Sequence, residues 1–298
     1  MPQPNLFEPV PSPFLVGFDG AFAIADAPTE AEDDPGKAPN IEALEAAVDE
    51  LATLQGRLYA HDKYSVLLVF QALDAAGKDG TIRAVLTGVN PQGTEVHSYK
   101  APTGDELDHD FLWRVWRNLP ERGRIGVWNR SHYEEVLVVR VHPGYLDGQK
   151  LPRRPDRLDD LWTERYESIA DAERHWARNG CVVLKFFLHV SQHEQHKRFL
   201  DRVTDPEHQW KFNANDLAES KNWSGYMAAY EAALRATSRP WAPWYAIPAD
   251  SKSYMRRAVA EIVVATLSQL EMPLPVLGDR DRSALELARK ELEAERAK

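Results

Sequence analysis

The sequence predicts an α/β fold in which helices cover both faces of a mostly parallel β-sheet. Two observations lead to this class. Short apolar runs alternate with helical patterns over most of the chain, and one apolar run passes through a turn of small residues directly into a helix. Because parallel strands are joined by crossover connections, which are usually helices, this alternation is typical of βαβ units.

The predicted strands are short segments rich in β-branched and aromatic residues. In chain order they are SVLLVFQAL, TEVHSY, RIGVW, CVVLKFFLHV and WYAIPA. Before the first of them, Ile41, Leu44, Val48 and Leu51 recur every three or four positions, which predicts a helix capped at Asn40. The other predicted helices are 81–87, 106–118, 133–140, 158–178, one from residue 192, 254–270, and a charged tail helix from residue 283 that lies on the surface or pairs with another subunit.

The acidic side chains are concentrated near the N-terminus. The net charge is -10, and the first 50 residues hold eleven acidic residues against one basic residue, Lys37. The remaining 248 residues hold 35 of each sign, so their basic side chains are free to cluster at one site. We expect residues 1–38 to form an acidic, proline-rich extension of mostly irregular structure, followed by one domain over residues 39–298.

The segment SVLLVFQALDAAGKDGTIRAV is the most informative part of the chain. A strand runs into a small-residue turn that contains Gly77 and Lys78, and a helix follows. This order is typical of a phosphate-binding loop, or P-loop, because backbone N–H groups and the helix dipole at a helix N-terminus attract anions. The predicted phosphate-binding residues are Ala75, Ala76, Gly77, Lys78, Asp79, Gly80, Thr81 and, one turn further, Arg83.

This loop departs from the general pattern GxxxxGK(S/T) at two positions. Ala72 stands where the first glycine belongs, and Asp79 stands where the hydroxyl residue belongs. A second carboxylate, Asp74, lies inside the turn. Carboxylates beside a phosphate site are expected mainly where a divalent metal ion neutralises them, so the loop predicts a metal-dependent phosphate chemistry.

Four segments resemble the polyphosphate kinase 2 family in the same order. They are the variant P-loop LDAAGKDGTIRAVLTGVNPQG, the Walker B region RIGVWNRSHYEEVLVVRV, the lid region LKFFLHVSQHEQHKRFLDRVTDPEHQWKF, and the last strand and loop WYAIPAD. The resemblance runs from residue 41 to about residue 272. It implies a P-loop kinase fold with a helical lid at about 191–225, and an enzyme that moves phosphoryl groups reversibly between inorganic polyphosphate and AMP or ADP, forming ADP or ATP.

The resemblance also implies roles for single residues. Asp74, Lys78 and Arg130 would be catalytic, and Asp74 with Glu134 or Glu135 would hold Mg²⁺, or Mn²⁺ in its place. Asn129 stands where many relatives have aspartate. Together with Glu134 it would set the acceptor specificity, because the motif NRSHYE followed by an acidic residue resembles the subgroup that accepts both AMP and ADP.

The lid region supplies basic residues that could grip the polyphosphate chain. Arg198 and Arg202 are four positions apart, hence on one helix face, and Lys211 follows in the triplet WKF. The alternative is that these are ordinary solvated charges, paired with Glu194 and Asp201 at low net stability.

Two other functions fit the same fold. An ATP-dependent small-molecule kinase is compatible with the fold class, although the match of the lid region disfavours it. A non-catalytic module that binds polyphosphate or nucleotides is the second alternative, and the presence of both Asp74 and Lys78 disfavours it.

The sequence gives little support for a zinc site, a disulfide, export, or binding to membranes or nucleic acid. His189, His193 and His196 are closely spaced, but HEQH is one residue short of the zinc motif HExxH, and the single cysteine, Cys181, cannot form an internal disulfide. The chain has no run of about 18 apolar residues, no signal-peptide pattern and no basic tract. We therefore expect a cytoplasmic protein that binds neither membranes nor nucleic acid, and the family resemblance implies a homodimer or homotetramer.

Overall fold

One parallel sheet organises the computed structural model, which describes residues 6–207 and 209–296. The five strands follow the order β2-β3-β1-β4-β5, and every pairing between them is parallel. This arrangement confirms the predicted α/β fold. The strands are β1 (Ser65–Ala72), β2 (Thr94–Ser98), β3 (Ile125–Asn129), β4 (Cys181–His189) and β5 (Trp244–Pro248).

The central strands explain why helices are needed on both faces. β1 pairs with β4 along its whole length, from Ser65 beside Cys181 to Ala72 beside Leu188. Every residue of both strands is buried, so neither face of the sheet meets water at β1 and β4. Such strands are near-continuous apolar runs because both sides of the sheet must be covered.

The helices divide into two layers around the sheet. Helices α1, α2 and α9 contribute to the apolar core on one face, and α5 and α8 to the core on the other. The helices are α1 (Lys37–His61), α2 (Lys78–Val85), α3 (Trp113–Trp116), α4 (Val138–Val141), α5 (Leu158–Arg178), α6 (Gln192–Thr204), α7 (Ala214–Glu219), α8 (Trp223–Thr237), α9 (Lys252–Leu267) and α10 (Asp279–Arg296).

The bounds of α2, α9 and α10 are shifted from the predicted ones by up to four residues, and α8 was not predicted. Three other helix predictions also differ from the structure. α1 begins at Lys37 rather than after Asn40, whose amide lies within the first turn and donates to Asp34 Oδ1 at 2.7 Å. The helix predicted over 106–118 is broken, because the carboxylate of Asp110 accepts the N–H of Leu112 at 2.9 Å and forms a local turn that competes with helix. The helix predicted over 133–140 is likewise a 3-10 turn followed by α4.

The N-terminal segment lies against the sheet. Phe7, Phe14 and Val16 are buried. Val16 donates its N–H to Trp244 O at 2.9 Å, and Ala246 donates to Phe14 O at 2.8 Å, so the segment pairs with the edge of β5. This pairing covers backbone groups that an edge strand otherwise exposes. The division into an extension and a domain stays a prediction.

The C-terminal helix, α10, is exposed to solvent along its whole length. All of α10 is exposed, including Leu285, Leu287 and Leu292, which agrees with the predicted surface position of the tail. Among the described residues, no helix is long and apolar enough to cross a bilayer.

Candidate active site

The predicted phosphate loop lies at the carboxyl end of β1, in the middle of the sheet. Ala75 (φ 63°) and Gly77 (φ 102°) adopt left-handed backbone conformations on either side of Ala76. The turn ends at Gly77, which is the N-cap of α2. Alternating backbone conformations of this kind direct N–H groups to one concave side, and a helix N-terminus adds its dipole, so the loop is suited to hold phosphate oxygens.

Lys78 occupies the first helical position behind this loop. Its side chain is almost entirely buried, with 9% of the residue exposed. Burial lowers the pKa of Lys78, as does the charge of Arg130, while Asp74, Glu134 and Asp79 act in the opposite direction. A phosphate group in the loop would favour the charged ammonium further, because an adjacent anion stabilises a cation in a low-dielectric site.

Arg130 forms hydrogen bonds with two carboxylates of the site. It follows β3, has a left-handed φ of 63°, and donates to Asp74 Oδ1 at 2.7 Å and to Glu134 Oε2 at 3.3 Å. The neighbouring negative charges, Glu134 first, raise the pKa of Arg130. The structure therefore brings together four of the predicted residues, which come from the ends of two adjacent strands: Asp74, Lys78, Arg130 and Glu134.

Gln71 positions Glu134 and was missed by the sequence analysis. With its amide nitrogen directed towards Glu134, Gln71 donates to Glu134 Oε1 at 2.9 Å, while its oxygen accepts from the hydroxyl and the N–H of Ser131, both at 3.0 Å. Burial raises the pKa of Glu134, and the adjacent Arg130 and Lys78 oppose this shift. The available signal was a glutamine near the end of the apolar run SVLLVFQAL, where a buried polar residue needs a partner.

Asn129 contacts the loop helix rather than the carboxylate pair. Its amide donates to Asp79 Oδ1 at 2.7 Å, which links the end of β3 to the first turn of α2. A carboxylate at this position would face Asp79 with a like charge. The hydroxyl of Thr81 is turned back to Gly77 O at 3.1 Å, so the side chain of Thr81 lies against its own helix.

Glu135 is directed away from the loop. Its carboxylate is buried and pairs with Arg165 Nη1 at 3.1 Å and with Gln149 Nε2 at 2.6 Å. Because successive residues of a 3-10 turn are rotated by about a third of a circle, Glu134 and Glu135 cannot face the same ligand. Of the two carboxylates suggested by the sequence, the structure brings only Glu134 to the site.

Arg198 braces the loop instead of facing an open site. Nη1 donates to Ala75 O at 3.1 Å and Ala76 O at 2.8 Å, and Nη2 donates to Ala249 O at 2.7 Å and Asp250 O at 2.9 Å. Nε donates to Glu194 at 2.9 Å. All five N–H groups of the guanidinium are thus used within the protein. The expectation that Arg198 grips polyphosphate conflicts with this geometry, since no donor is left for a ligand.

The other predicted basic residues are Arg202, Arg83 and Lys211. Arg202 donates to Asp216 Oδ2 at 3.0 Å, which ties α6 to α7. Arg83 is exposed on α2. The backbone of Lys211 belongs to a short 3-10 helix, Gln209–Lys211, and its side chain lies outside the described part of the structure.

A narrow cleft of about 40 Å³ lies between the loop and the segment that follows α6. The segment supplies acidic and aromatic side chains that the sequence analysis did not select. Trp223, Tyr226 and Tyr230 are spaced three and four apart on α8, a helical period that was visible in the sequence but is equally typical of core packing. The cleft residues are Ala72, Leu73, Asp74, Arg130, Glu134, Leu137, Val138, Gln195, Asp216, Glu219, Ser220, Trp223, Tyr226 and Tyr230.

The residues present fit a divalent cation that is completed by substrate. Among the described residues, no three His, Cys, Asp or Glu side chains are placed to hold a metal ion by themselves, and this includes the three histidines considered for zinc. Asp74 and Glu134 do share one guanidinium. Magnesium usually takes one or two carboxylates and completes its shell with phosphate oxygens and water, which this pair allows.

Two proteins of known name are similar to this chain over most of its length. The ADP-polyphosphate phosphotransferase of Rhodopseudomonas palustris is 50% identical over 251 residues, which cover 84% of this chain and 87% of that protein. The AMP/ADP-polyphosphate phosphotransferase of Meiothermus ruber is 44% identical over 259 residues, which cover 86% of this chain and 92% of that protein.

A solved structure and a family model give the same result. The crystal structure of polyphosphate kinase 2 from Arthrobacter aurescens matches with a TM-score of 0.83 at 35% identity, and covers 92% of this chain and 95% of that one. The family model of polyphosphate kinase 2 matches residues 36–274, from just before α1 to beyond α9. Since the match includes the phosphate loop, the Arg130 turn and the segment over the cleft, the chain belongs to the polyphosphate kinase 2 family.

Proposed function

We propose that this chain transfers the terminal phosphoryl group of inorganic polyphosphate to both ADP and AMP, in a reaction that needs Mg²⁺, with Mn²⁺ as a substitute. The observation that carries the proposal is the meeting of Lys78, Arg130, Asp74 and Glu134 beside the loop. Two similar proteins are named for such transfers, one to ADP and one to AMP or ADP.

The cations of the site act on the transferring group. Lys78 and Arg130 hold oxygens of the phosphoryl group and offset the charge that spreads over them in the loose transition state. The N–H groups of Ala75, Gly77 and Lys78 hold the neighbouring phosphate, whereas the N–H of Ala76 donates to Leu73 O. No covalent enzyme intermediate is needed, because positioning and charge neutralisation supply most of the catalysis in phosphoryl transfer.

The carboxylates of the site supply the metal position. Asp74 and Glu134 would hold the cation, which would neutralise phosphate charge when bound. Arg130 keeps both carboxylates oriented through its two hydrogen bonds. Gln71 fixes the other oxygen of Glu134, so this carboxylate meets the metal in one orientation.

The segment over the cleft acts as a lid. A cleft of about 40 Å³ is far smaller than the several hundred Å³ of a typical ligand site, so the entry of a nucleotide requires the segment between α6 and α8, which includes α7, to move outwards. Closure then excludes water and limits hydrolysis of the polyphosphate. Both substrates and products contain phosphoanhydride bonds, so the transfer runs in either direction according to supply.

The acceptor range is tested by comparing AMP and ADP with polyphosphate in excess. We expect both to be phosphorylated, and Asn129→Asp to change the ratio of the two rates, because it replaces the amide that binds Asp79 with a like charge. Phosphorylation of ADP alone by the unchanged protein would contradict the proposed dual specificity. An unchanged ratio in Asn129→Asp would remove Asn129 from the specificity residues.

The assembly state stays a prediction from the family resemblance, as a homodimer or homotetramer. Light scattering of the full chain measures it directly, and a monomeric mass at assay concentration would contradict it.

A further inference from the structure

β2 forms an open edge of the sheet, unlike β5 at the opposite edge. The N-terminal segment pairs with β5 through Phe14 and Val16. In the described part of the chain, β3 is the one strand that pairs with β2, and Val96 at the centre of β2 is 51% exposed. An uncovered edge offers backbone N–H and C=O groups to another strand.

The backbone groups on the outer edge of β2 belong to its alternate residues. Tyr99, which follows β2, donates its N–H to Asn129 O in β3 at 3.0 Å. Because successive residues of a strand in a parallel sheet direct their backbone groups to opposite sides, those of Thr94, Val96 and Ser98 are directed away from β3. The N–H of Thr94 is used in the preceding turn. The outer edge therefore offers the N–H and C=O of Val96 and Ser98, and the C=O of Thr94.

The sequence of β2, TEVHS, is complementary to itself when two copies run antiparallel. With Val96 opposite the partner's Val96, Thr94 lies opposite the partner's Ser98 and Glu95 lies opposite the partner's His97. A carboxylate then faces an imidazole on both sides of the two-fold axis. A shift of the centre by one residue would instead place Glu95 opposite the partner's Glu95, or His97 opposite the partner's His97. The side chains thus favour one register.

The same register joins the free backbone groups. The N–H of Val96 donates to the C=O of the partner's Val96, and the N–H of Ser98 donates to the C=O of the partner's Thr94. The two-fold axis repeats both bonds, which gives four in all. Glu95 and the partner's His97 then form a non-hydrogen-bonded pair, in which the side chains are closest, with Cα atoms about 4.5 Å apart.

His97 has a polar atom that lacks a partner within one chain. Its Nε2 is buried without a hydrogen-bond partner among the described residues, and lies 3.6 Å from Glu95 Oε2. The other oxygen of Glu95 accepts from Arg124 Nη1 at 2.8 Å. A second carboxylate from a neighbouring strand supplies the acceptor that His97 lacks, so the charges of this edge fit a second copy of the same strand.

Each face of the sheet beside β2 also carries an exposed aromatic side chain. Tyr59 of α1 is exposed, and a β-carbon at Gly123, just before β3, would lie 3.3 Å from Tyr59 Cα. On the other face, the exposed Trp116 packs edge-on against Trp176, which packs against Trp128 of β3. A stable interface takes about 20–30 residues a side, more than one strand provides, and these neighbours extend its apolar area.

We propose that two copies of this chain associate through antiparallel pairing of their β2 strands about Val96, which forms one continuous sheet with five strands from each copy. The inference is independent of the proposed function, and it gives the predicted homo-oligomer a defined interface. The phosphate loop follows β1, which lies two strands away from β2, so both loops stay accessible in the pair.

Cysteine cross-linking tests the register. The single native cysteine, Cys181, is buried, so a cysteine added to the edge is readily distinguished. In Val96→Cys the two thiols are directly opposite, with Cα atoms about 5.5 Å apart, which is within the range of a disulfide. Mild oxidation should convert most of this variant into a covalent dimer. Thr94→Cys is the matched control, because its two thiols are four residues apart, roughly 14 Å along the strand, and should stay unlinked.

Val96→Pro tests the backbone pairing. The N–H of Val96 makes no bond within one chain, so proline at this position of an edge strand preserves the sheet. It removes two of the four bonds between the copies, and the dissociation constant measured by light scattering should rise on the order of tenfold or more. Val96→Thr keeps the N–H and the side-chain shape and should keep the dissociation constant. Circular dichroism checks that both variants are folded.

Mixing two charge variants tests the side-chain pairing. Glu95→Lys removes the carboxylate opposite the partner's His97, and His97→Glu puts a carboxylate opposite the partner's Glu95, so each variant alone should associate more weakly than the unchanged protein. Mixed, the two variants place a carboxylate opposite a basic side chain on both sides of the axis. Native mass spectrometry should therefore show heterodimers on the order of tenfold more stable than either homodimer.

Any of three results would overturn the inference. The first is a monomeric mass for the unchanged protein at every concentration measured. The second is an oligomer whose dissociation constant is the same in a folded Val96→Pro, which would place the interface elsewhere. The third is cross-linking of Thr94→Cys as fast as that of Val96→Cys, which would exclude this register even if Val96→Pro failed to fold. None of these measurements depends on phosphoryl transfer, so a failure of the proposed function would leave the inference standing.

Discussion

Arg130 and Arg198 both lie beside the phosphate loop, but their hydrogen bonds give them different tasks. Arg130 bonds two carboxylates that a metal ion or phosphate can rearrange, whereas Arg198 is committed to backbone carbonyls on both sides of it. The residue type and the helical spacing were visible in the sequence. The direction of each guanidinium depends on contacts between distant segments, so the sequence could not distinguish a ligand-binding arginine from a bracing one.

The bracing role of Arg198 can be tested by replacing it with lysine. Arg198→Lys should lower the free energy of unfolding by about 2–4 kcal/mol, because an ammonium group cannot reach four carbonyl oxygens and leaves some of them buried without a donor. Denaturant unfolding measures the loss. Arg289→Lys, at an exposed pair with Glu293, serves as the control and should be neutral. A loss below about 0.5 kcal/mol for Arg198→Lys would contradict the role.

The second prediction concerns His132, which is buried among Trp128, Tyr133 and Trp176. Burial, with the charge of Lys185, lowers its pKa to about 3. The folded protein therefore keeps His132 neutral at pH values where the unfolded chain, with a pKa near 6.5, takes up a proton. Stability should fall as the pH drops below about 6.5, by about 2 kcal/mol at pH 5 from this residue alone.

The test replaces the imidazole ring of His132 with a ring that has no nitrogen atoms. Both nitrogens of His132 lack a hydrogen-bond partner in the described structure, so His132→Phe should keep the packing and lose this part of the pH dependence. Denaturant unfolding of both proteins at pH 7 and pH 5 measures the difference. Parallel losses of stability in the two proteins would mean that His132 is charged in the folded state as well.

At the scale of elements, the loop and α2 form one unit whose shape depends on Gly77. Its φ of 102° is unfavourable for side-chain-bearing residues, and a β-carbon there would lie 3.2 Å from Met255 Cε. Gly77→Ala should cost about 1–2 kcal/mol of stability and lower the transfer rate with every donor, because the N-terminus of α2 shifts away from the phosphates.

The control for this prediction is Gly144→Ala. A β-carbon at Gly144 would meet no atom within 4 Å, and its φ is negative, so stability and activity should stay unchanged. A fully active, fully stable Gly77→Ala protein would mean that the loop does not need its left-handed turn.

The strands and most of the long helices could be predicted because their signals are local, whereas α8 was not predicted. All five strands were identified from apolar runs, and α5 has the predicted bounds, since its apolar residues keep a helical period from Leu158 to Arg178. The segments around Asp110 and Tyr133 could not be predicted in this way. There, side chains that bond their own backbone, or a buried network, replace the regular helix suggested by the pattern.

In the candidate site, too, only the residues with a local sequence signal could be predicted. Lys78 and Asp74 follow from the loop motif, but Gln71 meets Glu134, and Asp216 meets the cleft, only through tertiary contacts. Lys252 and Arg256 belong to α9, which the sequence predicts only from residue 254 onwards. Their charged faces were visible in the sequence, yet nothing local places α9 beside α2.

At the scale of the whole molecule, a buried polar network joins the sheet to the site. Lys185 in β4 is fully buried and donates to Glu173 Oε2 at 2.5 Å, Tyr133 Oη at 2.9 Å and Thr237 O at 2.8 Å. Tyr133 donates in turn to Glu173 Oε1 at 2.8 Å. The network fixes the turn that carries Glu134, and it joins β4, α5 and α8.

Removing one partner of this network should lower the free energy of unfolding strongly. Replacing all three side chains with apolar ones should lower it much less. Lys185→Met should lower the free energy of unfolding by about 3–5 kcal/mol, because it leaves Glu173 charged and buried without its partner. The triple variant Lys185→Met/Glu173→Leu/Tyr133→Phe should recover most of this loss. A single variant as stable as the unchanged protein would show that Glu173 is protonated or hydrated in the folded state.

The most direct test of polyphosphate-dependent transfer is the formation of ATP from ADP and long-chain polyphosphate, with Mg²⁺ present and no ATP supplied. We expect ATP to accumulate only when polyphosphate is added, and to be abolished by chelation of the metal or by Lys78→Ala. Omission of polyphosphate controls for transfer between two ADP molecules. The absence of ATP over a wide range of Mg²⁺ concentrations, with a folded protein, would contradict the account.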